Sequence, residues 1–98
     1  MLNTIWFQNN EMGVEELRPF VDFLKDDKRL KFFSLWNNNI GNEGGKLLLE
    51  CIEKHNASLN YVYLYRNNID QNILDQINKL THQNEHSNEE AMKRIGAK

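Results

Sequence analysis

Three stretches of this chain carry the same apolar pattern, and a chain that repeats itself has to be read as stacked units before anything else is decided about it. Leu2, Leu30 and Leu59 open the stretches, 28 and 29 residues apart. The fourth and sixth places are apolar in each: Ile5 and Phe7, Phe33 and Leu35, Val62 and Leu64. The ninth place holds Asn10, Asn38 or Asn67, and the eleventh Met12, Ile40 or Ile69. Chance does not align so many positions.

Each stretch changes period part-way. From Leu30 to Leu35 the side chains alternate with a period of two, as in a strand. Apolar residues then recur three and four apart, as on one helix face. Phe20, Phe23 and Leu24 make that face in the first stretch, with Leu48, Cys51 and Ile52 in the second. Ile73, Leu74, Ile77 and Leu80 make it in the third. The unit is strand, turn, helix. It cannot bury its own apolar faces, whereas stacked units bury them against each other. Strands stack about 4.8 Å apart and helices need about 10 Å, so such an array curves with its sheet on the inside.

The pattern L-x-x-L-x-L-x-x-N-x-I resembles the leucine-rich repeat, and the 28–29-residue period resembles its ribonuclease-inhibitor-like subtype. The resemblance implies an α/β solenoid, a short horseshoe arc of three repeats at 2–29, 30–58 and 59–83. A parallel β-sheet would line its concave face and helices its convex face. The same class includes cytosolic innate-immune receptors and a GTPase-activating protein, so the motif is specific for fold and nearly silent on function. Pro19 is the local exception. It falls inside the helical stretch Val14 to Leu24, where it removes a donor and crowds the preceding turn, so a late start or a kink is expected.

Asparagine is the commonest residue, with 15 occurrences. An amide side chain both donates and accepts, so Asn10, Asn38 and Asn67 are suited to tie successive buried turns into a ladder. The other turn asparagines fit turn and helix-entry positions.

Strand positions between the core residues face the concave side: Thr4, Trp6 and Gln8; Phe32, Ser34 and Trp36; Tyr61, Tyr63 and Tyr65. Six of these nine are aromatic, including both Trp and all three Tyr of the chain. The remaining aromatics, Phe7, Phe20, Phe23 and Phe33, fall on expected core positions. Trp and Tyr are enriched at binding hot spots, and an exposed aromatic patch is otherwise an aggregation liability. The competing explanations are cross-strand pairing, at about 0.2–1 kcal/mol per pair, and the β-propensity of aromatics. The expected binding residues are Trp6, Gln8, Phe32, Ser34, Trp36, Tyr61, Tyr63 and Tyr65, with Arg66 at the rim. A protein or peptide is the expected ligand.

Twelve Lys and Arg stand against 14 Asp and Glu, a net charge of −2. That balance builds no basic stripe for nucleic acid. No apolar run approaches the roughly 20 residues of a membrane span, and the N-terminus lacks the features of a secretory signal. A lone cysteine, Cys51, fits a reducing compartment and a buried, unreactive thiol. The expected location is intracellular, in the cytoplasm. Asn56-Ala57-Ser58 is a formal glycosylation acceptor of the kind an Asn-rich chain produces by chance. His82 to His86 matches H-x-x-E-H, but the zinc site this motif serves needs a third ligand and a large surrounding domain. No catalytic site, cofactor, metal or small-molecule substrate is expected.

Residues 84–98 leave the repeat register and read as a polar tail. Within it Ser87 to Glu90 matches a capping box for a short helix over 88–95, with Gly96 as its stop. Such a helix would either fray or dock on the last repeat. The first strand begins without a polar cap, which raises the expectation of a fragment of a longer array, or of a subunit covered by another protein. Two functions follow: an interaction module binding through the aromatic face, or a structural accessory subunit held by its open ends and convex helices.

Overall fold

The computed structural model describes residues 4–7 and 11–96. Its elements are β1 (Thr4–Trp6), α1 (Val14–Asp26), β2 (Phe32–Ser34), α2 (Gly41–Lys54), β3 (Tyr61–Tyr63), α3 (Gln71–His86) and α4 (Asn88–Arg94). The fold is α/β. The three strands form one parallel sheet in chain order, β1-β2-β3. Thr4, Phe32 and Tyr61 lie side by side, then Ile5, Phe33 and Val62, then Trp6, Ser34 and Tyr63. Pairing continues beyond the strands: Leu35 donates its N–H to the Tyr63 carbonyl at 2.9 Å, and Asn37 donates to Tyr65 at 3.0 Å.

The core joins Phe33, Leu35, Val62 and Leu64 of the sheet to Leu17, Val21 and Leu24 of α1, Leu48 and Ile52 of α2, and Ile73 and Ile77 of α3. Each such side chain taken from water contributes about 1.5–3 kcal/mol before the entropy of ordering is subtracted. In α1 the buried set is Leu17, Val21 and Leu24, four and then three residues apart. Phe23 departs from its expected core position. It sits about 100° around the helix from Leu24, is 50% exposed, and meets Phe20 edge-on at 5.8 Å.

The late start expected from Pro19 is not seen, since α1 begins at Val14. Helix α1 runs through the proline, because Pro19 lies on the exposed side, where water can serve the carbonyl that loses its donor. At its start the Glu16 carboxylate accepts the Gly13 N–H at 2.8 Å.

Two columns of polar side chains fasten consecutive strand–helix units. In the first, Asn38 donates to the carbonyls of Phe7 and of Leu35 and accepts the Met12 N–H at 2.9 Å. Asn67 repeats the arrangement, donating to Leu35 at 2.7 Å and Leu64 at 3.2 Å and accepting from Ile40 at 3.2 Å. Asn10, the expected first member, lies outside the described residues, as do Leu2, Gln8 and Asn9.

The second column was not anticipated. It stands at the other end of the strands and contains Asp27, Asn56 and Asn84. Asp27 accepts the Leu30 N–H at 2.7 Å, and Asn56 accepts the Leu59 N–H at 3.0 Å, an identical turn 29 residues later. Asn56 also reaches back to the Leu24 carbonyl at 2.8 Å, and Asn84 to the Leu59 carbonyl at 2.8 Å. Asn56 is wholly buried, so its glycosylation triplet is closed in the folded chain.

The boundary expected at residue 83 falls inside α3, which continues to His86 with Asn84 buried. Helix α4 then folds back. Its Arg94 donates to the carbonyls of Ile52 (3.1 Å), Glu53 (3.2 Å) and Asn56 (3.2 Å), to Asn84 Oδ1 at 2.8 Å, and to Gln83 Oε1. The Ile52 and Glu53 carbonyls belong to the last turn of α2, where carbonyls have no partner within the helix. Burial lowers the Arg94 pKa, and Glu53 partly opposes the shift. Ser87 makes no side-chain cap bond, contrary to the expected capping box, and Gly96 ends the helix with φ of 79°. Among the described residues no helix is long and apolar enough to cross a membrane.

Candidate functional site

The sheet has one side against the helices and one side facing outward, and alternation assigns the aromatic positions to the outward side. Thr4, Trp6, Phe32, Ser34, Trp36, Tyr61, Tyr63 and Tyr65 stand there together; Gln8 is outside the described residues. Trp6 is 58% exposed and Tyr65 62%, while Phe32, Trp36 and Tyr63 are half-buried.

The rings form a connected file across all three strands. Trp6 meets Phe32 at 5.0 Å between centroids, and Phe32 stacks on Tyr61 at 5.6 Å. Tyr61 meets Tyr63 edge-on at 6.0 Å, and Tyr63 meets Tyr65 at 5.1 Å. Offset and edge-on contacts of this kind hold each ring by its neighbour, so little side-chain entropy is left to lose when something docks on them. Burial, and then the neighbouring Tyr65 and Tyr63, raise the Tyr61 pKa above its usual 10.0, so this phenol is neutral and able to donate at physiological pH.

Ser34 is the exception on this face. It is fully buried between Trp6 and Tyr63 in register, and its hydroxyl lies 3.4 Å from the Trp36 N–H. With a small residue in the middle strand, the surface sinks into a depression of about 260 Å³ lined by Trp6, Ser34, Trp36 and Tyr63.

Arg66 sits at the rim and is exposed. Its φ is 64°, the left-handed region that costs an ordinary L-residue about 1–2 kcal/mol. One unit earlier the same turn position holds Asn37, with φ of 60°. Asparagine tolerates this conformation and arginine does not benefit from it, so Arg66 stands where local backbone preference argues against it.

The remaining chemistry-bearing residues do not converge. Cys51 is buried on α2 with its Sγ 3.7 Å from the Val21 carbonyl, and burial pushes its thiol up to about 11. His82 and His86 meet at 4.3 Å between ring centroids, tilted by 42°, on the exposed side of α3, and His86 lies 2.6 Å from the Glu85 carboxylate. Among the described residues no group of three His, Cys, Asp or Glu side chains could hold a metal ion.

The aromatic positions were legible from strand alternation alone. The depression was not, because it depends on which side chains stand opposite Ser34 across the sheet. The left-handed turn at Arg66 could have been suspected from its place beside Asn37 in the repeat. No protein-family model matches this chain, and no curated protein matches it.

Proposed function

We propose that this chain is a leucine-rich repeat module of the ribonuclease-inhibitor-like kind that binds a protein partner through its aromatic sheet face. The repeat reading is supported by the equivalence of Asn38 and Asn67, 29 residues apart with matching donors and acceptors. It is supported too by strands paired in chain order, each followed by a helix. On this reading the sheet is the concave side of a short arc, and the chain works within a larger complex.

The observation that carries the binding reading is the unbroken file of aromatic rings from Trp6 to Tyr65 on the outward side of the sheet. A sheet whose other face already holds the core gains about 0.2–1 kcal/mol per aromatic pair on its outer face. It does not require two tryptophans there, one of them more than half exposed. Large amphipathic rings held in place are what a protein-binding surface needs. No basic groups line the central depression, which favours a protein over a nucleic acid. A buried free thiol fits a reducing, cytoplasmic setting.

Affinity capture with mass spectrometry tests this, with the wild-type chain beside a Trp36→Ala, Tyr63→Ala double variant. Loss of specific partners in the variant is expected, with its thermal unfolding cooperative. Capture unchanged by the double variant would remove the reading. The alternative, a structural accessory subunit held by its ends and convex helices, draws on half-exposed Phe23 of α1 and predicts that unchanged capture.

A further inference from the structure

We propose that the depression at the centre of the sheet face is an aromatic cage for a methylated lysine side chain of a protein partner. The inference rests on that face being the binding surface, and it adds the chemistry of what is bound.

The face positions form a grid, with Ser34 at its centre. Phe32 is two residues before it on β2, Trp36 two residues after it in the turn that follows the strand, and Trp6 and Tyr63 are its neighbours across the sheet. Serine is the one small residue among aromatic neighbours, so the rings surround a space instead of closing on a side chain. Each wall but one is held from behind: Trp6 rests on Phe32, and Tyr63 rests on Tyr61 and Tyr65. Trp36 pairs with no other ring among the described residues, nor do Trp6 and Tyr63 pair with each other. Three wall rings thus stand apart around a depression of about 260 Å³, room for an alkylammonium head and part of its stem.

The electrostatics select the guest. Aromatic rings carry negative charge on their faces, tryptophan most strongly, and two tryptophans and a tyrosine line this space. Trp6, Ser34, Trp36 and Tyr63 bear no charge, so no cation of the described chain occupies the depression itself. No Lys, Arg or His lines the depression to hold an anion by charge, and a neutral guest would gain only area. A bare ammonium is a compact, strongly hydrated charge that loses much of its water on entry. Methyl groups spread that charge over apolar surface, reduce the hydration lost, and fill the space against the rings. Ser34 at the floor supplies depth without a competing charge.

Both tryptophans of the chain line the depression, so intrinsic fluorescence reports its occupancy directly. The full chain is titrated with an acetylated glycine–trimethyllysine–glycine peptide, with the same peptide carrying the neutral tert-butyl isostere, and with choline. A saturable fluorescence change is expected with the trimethyllysine peptide, about tenfold weaker binding with the isostere, and weaker binding again with choline. Trp36→Leu keeps apolar bulk at a position outside the core, and should weaken the trimethyllysine peptide about tenfold without moving the unfolding curve. Equal binding of charged and neutral peptides overturns the cage. Choline binding as tightly as the peptide also overturns it, assigning the depression to a free quaternary ammonium. A silent titration, in a chain whose Trp36→Ala, Tyr63→Ala variant still loses its partners, overturns the cage and leaves the binding face standing. Capture that the double variant does not weaken overturns both.

Discussion

Asn67 is where the stacking of the units can be tested most directly. It is 2% exposed, donates to the Leu35 and Leu64 carbonyls, and accepts from Ile40, itself 2% exposed. In Asn67→Ala the Leu35 carbonyl keeps Asn38 as a donor at 3.0 Å, but the Ile40 N–H and the Leu64 carbonyl lose their amide partner. Two buried polar groups left unpaired cost about 1–3 kcal/mol each, so a loss of about 3 kcal/mol is expected. A domain of this size has about 5–15 kcal/mol in all, and its melting temperature should fall by roughly 10–20 °C. Asn67→Asp sharpens the test, since a carboxylate can still accept from Ile40 but faces two carbonyl oxygens without a proton to offer. That contact raises the folded pKa of the introduced carboxyl. Its contribution is therefore present below the ordinary aspartate value of about 3.9 and is lost as pH rises through the raised folded value. Urea unfolding followed by circular dichroism should show the Asp deficit against wild type narrowing as pH falls, while the Ala deficit stays constant. An Asn67→Ala loss under about 0.5 kcal/mol, the scale of an ordinary surface change, would refute the reasoning.

Arg94→Ala should release α4 from the carbonyl ends of α2, cost about 1–3 kcal/mol, and raise hydrogen exchange over residues 88–94 while leaving β2 protected. Gly44→Ala should destabilise by about 1–2 kcal/mol in urea unfolding, although alanine is the better helix former, because its Cβ would lie 2.4 Å from Ile40 Cγ2. Arg66→Asn should stabilise by about 0.5–1 kcal/mol by relieving the left-handed backbone, and partner capture should weaken if the arginine is retained for binding. Burial raises the folded thiol of Cys51 above the ordinary 9.0, so its contribution is intact below about pH 9 and lost as pH rises through about 11. Wild type should accordingly lose stability relative to Cys51→Ala across that window, and the native thiol should resist thiol reagents at neutral pH.

Short-range order in the chain already specified a good deal. Alternation around Phe33 and Val62 separates core from outward residues, because a strand has only two sides. The places of Asn38 and Asn67 follow from the same count, since a buried turn needs a side chain that both donates and accepts. The outward aromatics follow too, from Trp6 through Tyr65. What depends on distant partners was not legible. Phe23 and Leu24 are adjacent apolar residues, and only the helix's rotation against β2 decides which is buried. Asp27, Asn56 and Asn84 keep the 28–29-residue spacing, but nothing local shows that the two asparagines reach carbonyls 32 and 25 residues away. Arg94 reads as one charge in a polar tail until α4 folds back and aims it at α2, 42 residues earlier.

The repeat that opens the sequence therefore determined the order of strand and helix, the two sides of the sheet and the first asparagine column. The first two follow from periods shared with near neighbours, and the third from a 29-residue spacing between equivalent turns. Tertiary structure alone decided the bonding of the second column, the closure of the last unit by Arg94, and the depression over Ser34 between Trp6 and Tyr63. Each of those is a contact between units, set by the packing of elements that lie tens of residues apart.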